Sequence, residues 1–128
     1  MRLLLDTHAF LWFVAGSSRL STTARAAIEA RENERFLSAA SIFEMAVKMS
    51  LGKLTVGLPI EELLGRELAS GGFALLPIEI RHVGQLASLP FYHRDPFDRL
   101  LAAQALVDAL MFVSADEAFD SYGVQRHW

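Results

Sequence analysis

Cysteine is absent from this 128-residue chain, so neither a disulfide framework nor a thiolate metal site is open to it. That accords with a reducing compartment. There is no linker, low-complexity tract or internal repeat, and no P-loop, G-x-G-x-x-G or G-x-S-x-G motif. Positive charge is also scarce: 12 lysines and arginines against 15 aspartates and glutamates leave a net charge of −3. Such a chain lacks the basic field that holds nucleic acid through phosphate contacts alone. Any nucleic-acid role would need a local basic patch or a bound cation. A long hydrophobic run is missing too. MRLLLDTHAFLWFVAG begins like a secretory signal, but Asp6 breaks its apolar stretch, with His8 just behind. This excludes a cleavable signal, and a membrane helix would need roughly 20 apolar residues. The expectation is a soluble, cytoplasmic protein without a membrane segment.

What is present is apolar bulk. Hydrophobic residues make up 52% of the chain, enough for one domain over residues 1–128 with a core of its own. Leu3-Leu4-Leu5 suits a strand buried on both faces, and Thr7 to Ala15 a helix closed by Gly16. Ser21 can cap a second helix with Ala24, Ala27 and Ile28 inward. Phe36 to Ala39 reads as a strand, and Ser41 as the start of a helix presenting Ile42, Met45, Ala46 and Met49 on one face. Pro59 opens a further helix at its first position, Phe73 to Pro77 reads as a strand, and Ile80 to Leu89 as a helix. A loop then leads into a nearly all-apolar, central helix from Asp95-Pro96 to Leu110. Met111 to Ser114 is a strand, and Asp116 begins a short last helix. Alternating strands and helices predict an α/β fold of three α/β/α layers around a mainly parallel sheet of about four to five strands. Its binding crevice would lie at the carboxyl ends of the strands.

Asp6, Glu44, Asp98 and Asp116 all fall at helix starts on this plan, and three of them closely follow strand ends. Each has an ordinary explanation, since acidic groups satisfy free N–H groups at helix N-termini. Ser41-x-x-Glu44 has the pattern of a capping box, and Asp95-Pro96 that of an N-cap followed by proline. Two considerations point past capping. Asp6 is costly beside a buried strand unless it finds partners or a cation. Four carboxylates in one crevice would also repel one another and raise some of their pKa values. The lysines, Lys48 and Lys53, are not expected near any of the four, while Arg94 and Arg99 could neutralise part of the charge. A divalent cation is the better counter-charge, and an all-oxygen donor set favours Mg²⁺, with Mn²⁺ able to substitute. Such a site is suited to hydrolysing a phosphodiester, with one ion or two.

Four blocks, MRLLLDTHAFLW, SIFEMAVK, HRDPFDRLLAAQA and FVSADEAFDSYGVQRHW, resemble the PIN-domain ribonucleases from end to end. The likeness is greatest to the VapC-type toxins of toxin–antitoxin modules. That resemblance places Asp6, Glu44, Asp98 and Asp116 on the family's acidic quartet. Asp6 and Asp98 would be the most direct metal ligands, and Glu44 and Asp116 would bind directly or through water. It implies Mg²⁺-dependent endonucleolytic cleavage of RNA, a homodimer, and inhibition by a cognate antitoxin. The antitoxin would insert a segment near the site and would itself bind DNA, so that DNA contact is indirect. The family's D-x-L-x-A-A-x-A stretch selects Asp98 over Asp95, which is assigned to capping. Ser114 stands where many members carry threonine.

Thr7 and Ser114 could each orient a metal-bound water or simply cap backbone. His93, Arg94 and Arg99 could contact RNA phosphate or an antitoxin carboxylate, against the ordinary alternative of a solvated loop. His8, His82, His93 and His127 form no ligand-spaced pair, although a histidine base is conceivable. Phe10 to Phe13 are too apolar for a fully wet helix; core packing is the default, and a dimer or antitoxin groove the sharper alternative. The competing function is a Mg²⁺-binding, receiver-like signalling domain. It requires an aspartate ending the third strand and a lysine ending the last. Pro77-Ile78-Glu79 and Ser114-Ala115-Asp116 stand there instead.

Overall fold

Leu3, Leu4 and Leu5 are fully buried in β1 (Arg2–Leu5), because helices cover both faces of this strand. The computed structural model describes residues 1–128. After β1 come α1 (Thr7–Ala15), α2 (Thr22–Glu29), β2 (Glu34–Ser38), α3 (Ala39–Ser50) and α4 (Ile60–Ala69). Then follow β3 (Phe73–Leu76), α5 (Ile80–Ser88), α6 (Pro96–Val107) and β4 (Met111–Val113). A 3-10 helix (Glu117–Tyr122) and β5 (Gln125–His127) complete the chain. The five strands are all parallel, in the order β3-β2-β1-β4-β5.

The pleat of β1 divides the core. Leu3 and Leu5 point to the side of α1, α2 and α4, with Phe10, Ile28, Leu64 and Phe73. Leu4 points to the other side, with Leu101, Leu110, Phe112, Phe119 and Tyr122, mostly from α6 and the residues after it. The three-layer expectation is met, and α6 is central as expected: Leu101 to Ala105 are all buried.

Several local boundaries differ from the sequence expectation. α3 begins at Ala39, with the Ser38 hydroxyl accepting from Ala40 N–H, so Ser41 lies inside the helix and forms no capping box with Glu44. Glu44 therefore stands in the second turn, not the opening one. A serine ending a strand can cap as well as one three residues on, and only packing decides between them. Ala46, expected inward, is exposed. Pro59 is the N-cap of α4 rather than its first residue. β5 was not anticipated: Gln-Arg-His shows no apolar alternation, and its pairing with β4 is what defines it.

The chain lays β1, β2 and β3 outward in one direction, then returns through α6 to place β4 on the opposite side of β1. The order reverses between β1 and β4, where open α/β sheets form their crevice. The register aligns Leu5 with Val113, and Asp6 N–H donates to Val113 O at 3.0 Å. Asp6 and Ser114 consequently leave the sheet side by side. The adjoining edge is fixed by Gln104, fully buried in α6. Its Oε1 accepts from Ser38 Oγ at 2.5 Å, and its Nε2 donates to Pro77 O at 3.2 Å. One side chain thus ties the ends of β2 and β3 to the helix carrying Asp98.

Candidate active site

Asp6 occupies the N-cap position of α1, yet its side chain caps nothing. Its Oδ2 accepts from the Ser114 hydroxyl at 2.8 Å, and the residue is only 7% exposed. Ser114 Oγ in turn accepts from Asp116 N–H at 3.1 Å. Burial pushes the Asp6 carboxyl above its ordinary value, against the pull of the Ser114 bond, with a smaller push from Glu44. Ser114 is therefore both an orienter of Asp6 and a local cap.

Glu44 is buried, and both of its oxygens are engaged. Oε1 accepts from Thr7 Oγ1 at 2.7 Å, and Oε2 accepts from Lys48 Nζ at 2.5 Å. The single Thr7 proton goes to the carboxylate, which leaves the Thr7 oxygen to accept from Ser41 Oγ at 2.8 Å. Thr7 thus positions Glu44. The expectation that no lysine lies near the acids is overturned by Lys48. Spacing held the missed signal: Glu44 and Lys48 are an i,i+4 pair in the favourable Glu-before-Lys order.

Asp98 stands in the opening turn of α6, three residues after Asp95, whose Oδ1 caps Phe97 N–H at 2.8 Å. The capping assignment for Asp95 is therefore met. The Asp98 carboxyl is pushed up to about 7, first by burial, then by the charges of Asp95 and Asp6, with His93 opposing and Glu44 adding. Asp98 caps no N–H group. Its surroundings are those of a carboxylate crowded by others.

Asp116 is more exposed and differs in character. Its Oδ1 caps Ala118 N–H at 2.9 Å, and its Oδ2 meets His93 Nε2 at 2.7 Å. Tyr122 Oη accepts from His93 N–H at 2.9 Å and lies 3.1 Å from Nδ1, to which its proton can be donated. That arrangement leaves Nε2 as the protonated nitrogen facing Asp116. Burial would raise the Asp116 carboxyl, but the His93 bond and the Ala118 N–H outweigh it and hold it below the ordinary value. Stability from such a group is present above the unfolded pKa and is lost as pH falls through the lower, folded one. Asp116→Ala is accordingly expected to cost about 1 kcal/mol in urea unfolding at pH 7, as removal of a cap does. Asp116→Asn, which keeps the cap, should not raise the melting temperature; a clear rise would mean that repulsion dominates here as well.

Asp6 and Asp116 line one hollow of about 310 Å³ with His8, Ala9, Trp12 and Ala115. Asp98 and Glu44 do not line this hollow, although the charges of Asp6 and Glu44 both act on the Asp98 carboxyl. No three histidine, aspartate or glutamate side chains stand close enough, as placed, to encircle an ion. The donors still suit Mg²⁺, which usually takes one or two carboxylates and keeps several waters. Asp6 and Asp98 carry no ion pair. Glu44 and Asp116 are held by Lys48 and His93.

The flanking cations are not equivalent. Arg99 turns away from the hollow: Nη2 donates to Leu86 O and Leu89 O, and the guanidinium stacks 3.9 Å over the Phe91 ring. It staples α5 to α6 and does not reach the acids. Arg94 is exposed, whereas His93 is committed to Asp116 and Tyr122. Tyr122 and Arg126 were not singled out from the sequence. Arg126 Nη1 donates to Ser114 O at 3.1 Å and its Nε to Asp120 at 2.9 Å, steadying the turn that carries Asp116. Beside the hollow, sharing His8 and Trp12 with it, runs a groove of about 420 Å³ lined mainly by apolar residues of α1, α4 and the 54–58 loop.

An all-parallel sheet with helices on both faces, acids at its carboxyl edge and a reversal point at the first strand defines an α/β/α class of site. The family follows directly, since the PIN domain model matches residues 3–125 and the chain belongs to that family. No curated protein matches the chain. Among solved structures, VapBC2 from Rickettsia felis bound to a promoter DNA fragment is similar over 100% of both chains, with a TM-score of 0.73 and 13% identity. FitAcB from Neisseria gonorrhoeae is similar at 21% identity and a TM-score of 0.60, over 97% of this chain and 95% of that one. VapBC-1 from nontypeable Haemophilus influenzae is similar at 14% identity and a TM-score of 0.65, over 98% and 96%.

Proposed function

We propose that this chain is a divalent-cation-dependent endoribonuclease, the VapC-type toxin of a toxin–antitoxin module. The observation that carries the reading is the crowding of half-buried Asp98 by the charges of Asp95 and Asp6, which a stable fold tolerates best when a cation joins them. Asp6 and Asp98 would hold the ion, and Glu44 and Asp116 would hold its waters. Thr7, Ser114 and His93 keep those carboxylates in place. A bound Mg²⁺ or Mn²⁺ supplies an activated water and offsets charge on the phosphate. With a net charge of −3, the chain has little else to attract RNA. Exposed Arg94 is the remaining candidate for phosphate contact.

The solved neighbours are VapBC and FitAcB proteins, one of them bound to promoter DNA, and the apolar groove beside the hollow suits a cognate antitoxin segment. Its last residues would then lie beside Asp6 and Asp116. DNA would be contacted only through that partner. No helix is long and apolar enough to cross a membrane, and the proposed setting is the cytoplasm, with the chain as a homodimer. The receiver alternative finds no support, since β4 runs into Ser114-Ala115-Asp116 without a lysine.

The decisive experiment incubates purified protein with single-stranded RNA and with DNA of the same sequence. RNA cleavage should stop with EDTA and return with excess MgCl₂ or MnCl₂, while the DNA stays intact. Cleavage indifferent to EDTA would refute the cation-dependent site.

A further inference from the structure

Glu44 is fixed from two sides by the chain itself, and one of those sides is a permanent positive charge. Lys48 Nζ lies 2.5 Å from Oε2, with 34% of the lysine side chain exposed against 3% of the glutamate's. The ammonium also stands in the field of Asp95 and Asp98. No other lysine or arginine forms an ion pair with Asp6, Glu44, Asp98 or Asp116. His93 faces Asp116, but a histidine need not carry charge near neutral pH. A lysine is a compact charge on a flexible stem, and a partly exposed one can swing into water without breaking the helix that bears it.

We propose that Lys48 is the resident cation of this acidic edge: it holds Glu44 and offsets the charge of Asp95 and Asp98 when no divalent ion is bound, and its charge opposes that ion's entry. The proposal rests on the reading that these acids take a divalent cation. A built-in competitor lets the pocket fold without metal and keeps metal affinity moderate. Two consequences then oppose each other: losing Lys48 weakens the cation-free fold and strengthens cation binding. A residue that served packing alone would produce only the first.

The test uses full-length protein stripped with EDTA, calorimetric titration with MnCl₂, and melting curves without cation. Lys48→Met should bind Mn²⁺ about tenfold tighter or more, because a like charge has left the partly buried neighbourhood of the acids. Lys48→Gln keeps a hydrogen-bond donor for Glu44 and guards against a misfolded methionine variant; it should tighten binding in the same direction. Lys48→Arg keeps the charge and should bind Mn²⁺ no more tightly than wild type. Without cation, Lys48→Met should melt below wild type, and the same change should matter little in a Glu44→Gln background. Mn²⁺ affinity that is unchanged or weaker in both neutral variants overturns the Lys48 proposal alone. If wild type and every variant take up no Mn²⁺, the cation site itself fails, and this proposal with it.

Discussion

Replacing Asp98 with asparagine is expected to do two opposite things: abolish RNA cleavage and make the cation-free protein more stable at pH 8. Loss of activity follows from the proposed role as a direct ligand. Residues that merely orient ligands cost about 10–100-fold when removed, so a ligand should cost more than about 100-fold. The stability gain follows from the raised pKa. The Asp98 carboxyl is pushed up to about 7 in the fold, first by burial and then by Asp95 and Asp6, from its ordinary value of 3.8. The folded state therefore keeps a proton that the unfolded chain has already released. Linkage then makes stability fall as pH rises through that window, between the two pKa values. The full shift would amount to about 4 kcal/mol at about 1.36 kcal/mol per unit. Partial exposure and solvent screening reduce this to about 2 kcal/mol. Melting curves in EDTA at pH 5 and pH 8 should show wild type losing stability with rising pH and the variant losing much less of it. A variant that melts below wild type at pH 8 would assign Asp98 a supporting role in the helix instead.

The contrast between Asp98 and Asp116 shows what the sequence could carry. Asp6 is legible because a carboxylate stands hard against a buried strand, and Asp98 because the D-P pair three residues earlier suits the cap and the resemblance to the PIN-domain D-x-L-x-A-A-x-A stretch selects the later acid. The alternation of strands and helices conveyed the three layers and the crevice. What remained hidden depended on three-dimensional neighbours. Ser38 and Ser41 are both plausible caps, and only the fold directs one to Ala40 N–H and the other to Thr7. The network of Gln104 with Ser38 and Pro77 links residues 66 and 27 positions apart, beyond any local pattern. β5 has three residues and no alternation, so its pairing alone defines it. Lys48 is the exception, since its i,i+4 spacing from Glu44 stands in the sequence itself.

Asp6→Asn is expected to remove the stabilisation that divalent cations give this protein, with little change in its cation-free fold. Ligand that binds only the folded state adds about 2.7 kcal/mol at a concentration 100 times its dissociation constant. For a domain of this size that is a rise of roughly 8–15 °C in melting temperature. Asparagine is nearly isosteric with aspartate and can still accept from the Ser114 hydroxyl, so the parallel pairing of β1 and β4 should survive. Burial already disfavours the charge on Asp6, which means that neutralising it does not destabilise the strand end. The cation, in contrast, loses the carboxylate that the first strand delivers to the reversal point of the sheet. Melting wild type and Asp6→Asn in EDTA and in saturating MnCl₂ separates the two roles. A large cation-induced rise in wild type that vanishes in the variant places the ion at Asp6. An equal rise in both would put the cation elsewhere on the molecule, and a deep fall of the variant in EDTA would make Asp6 a structural group whose charge the fold needs.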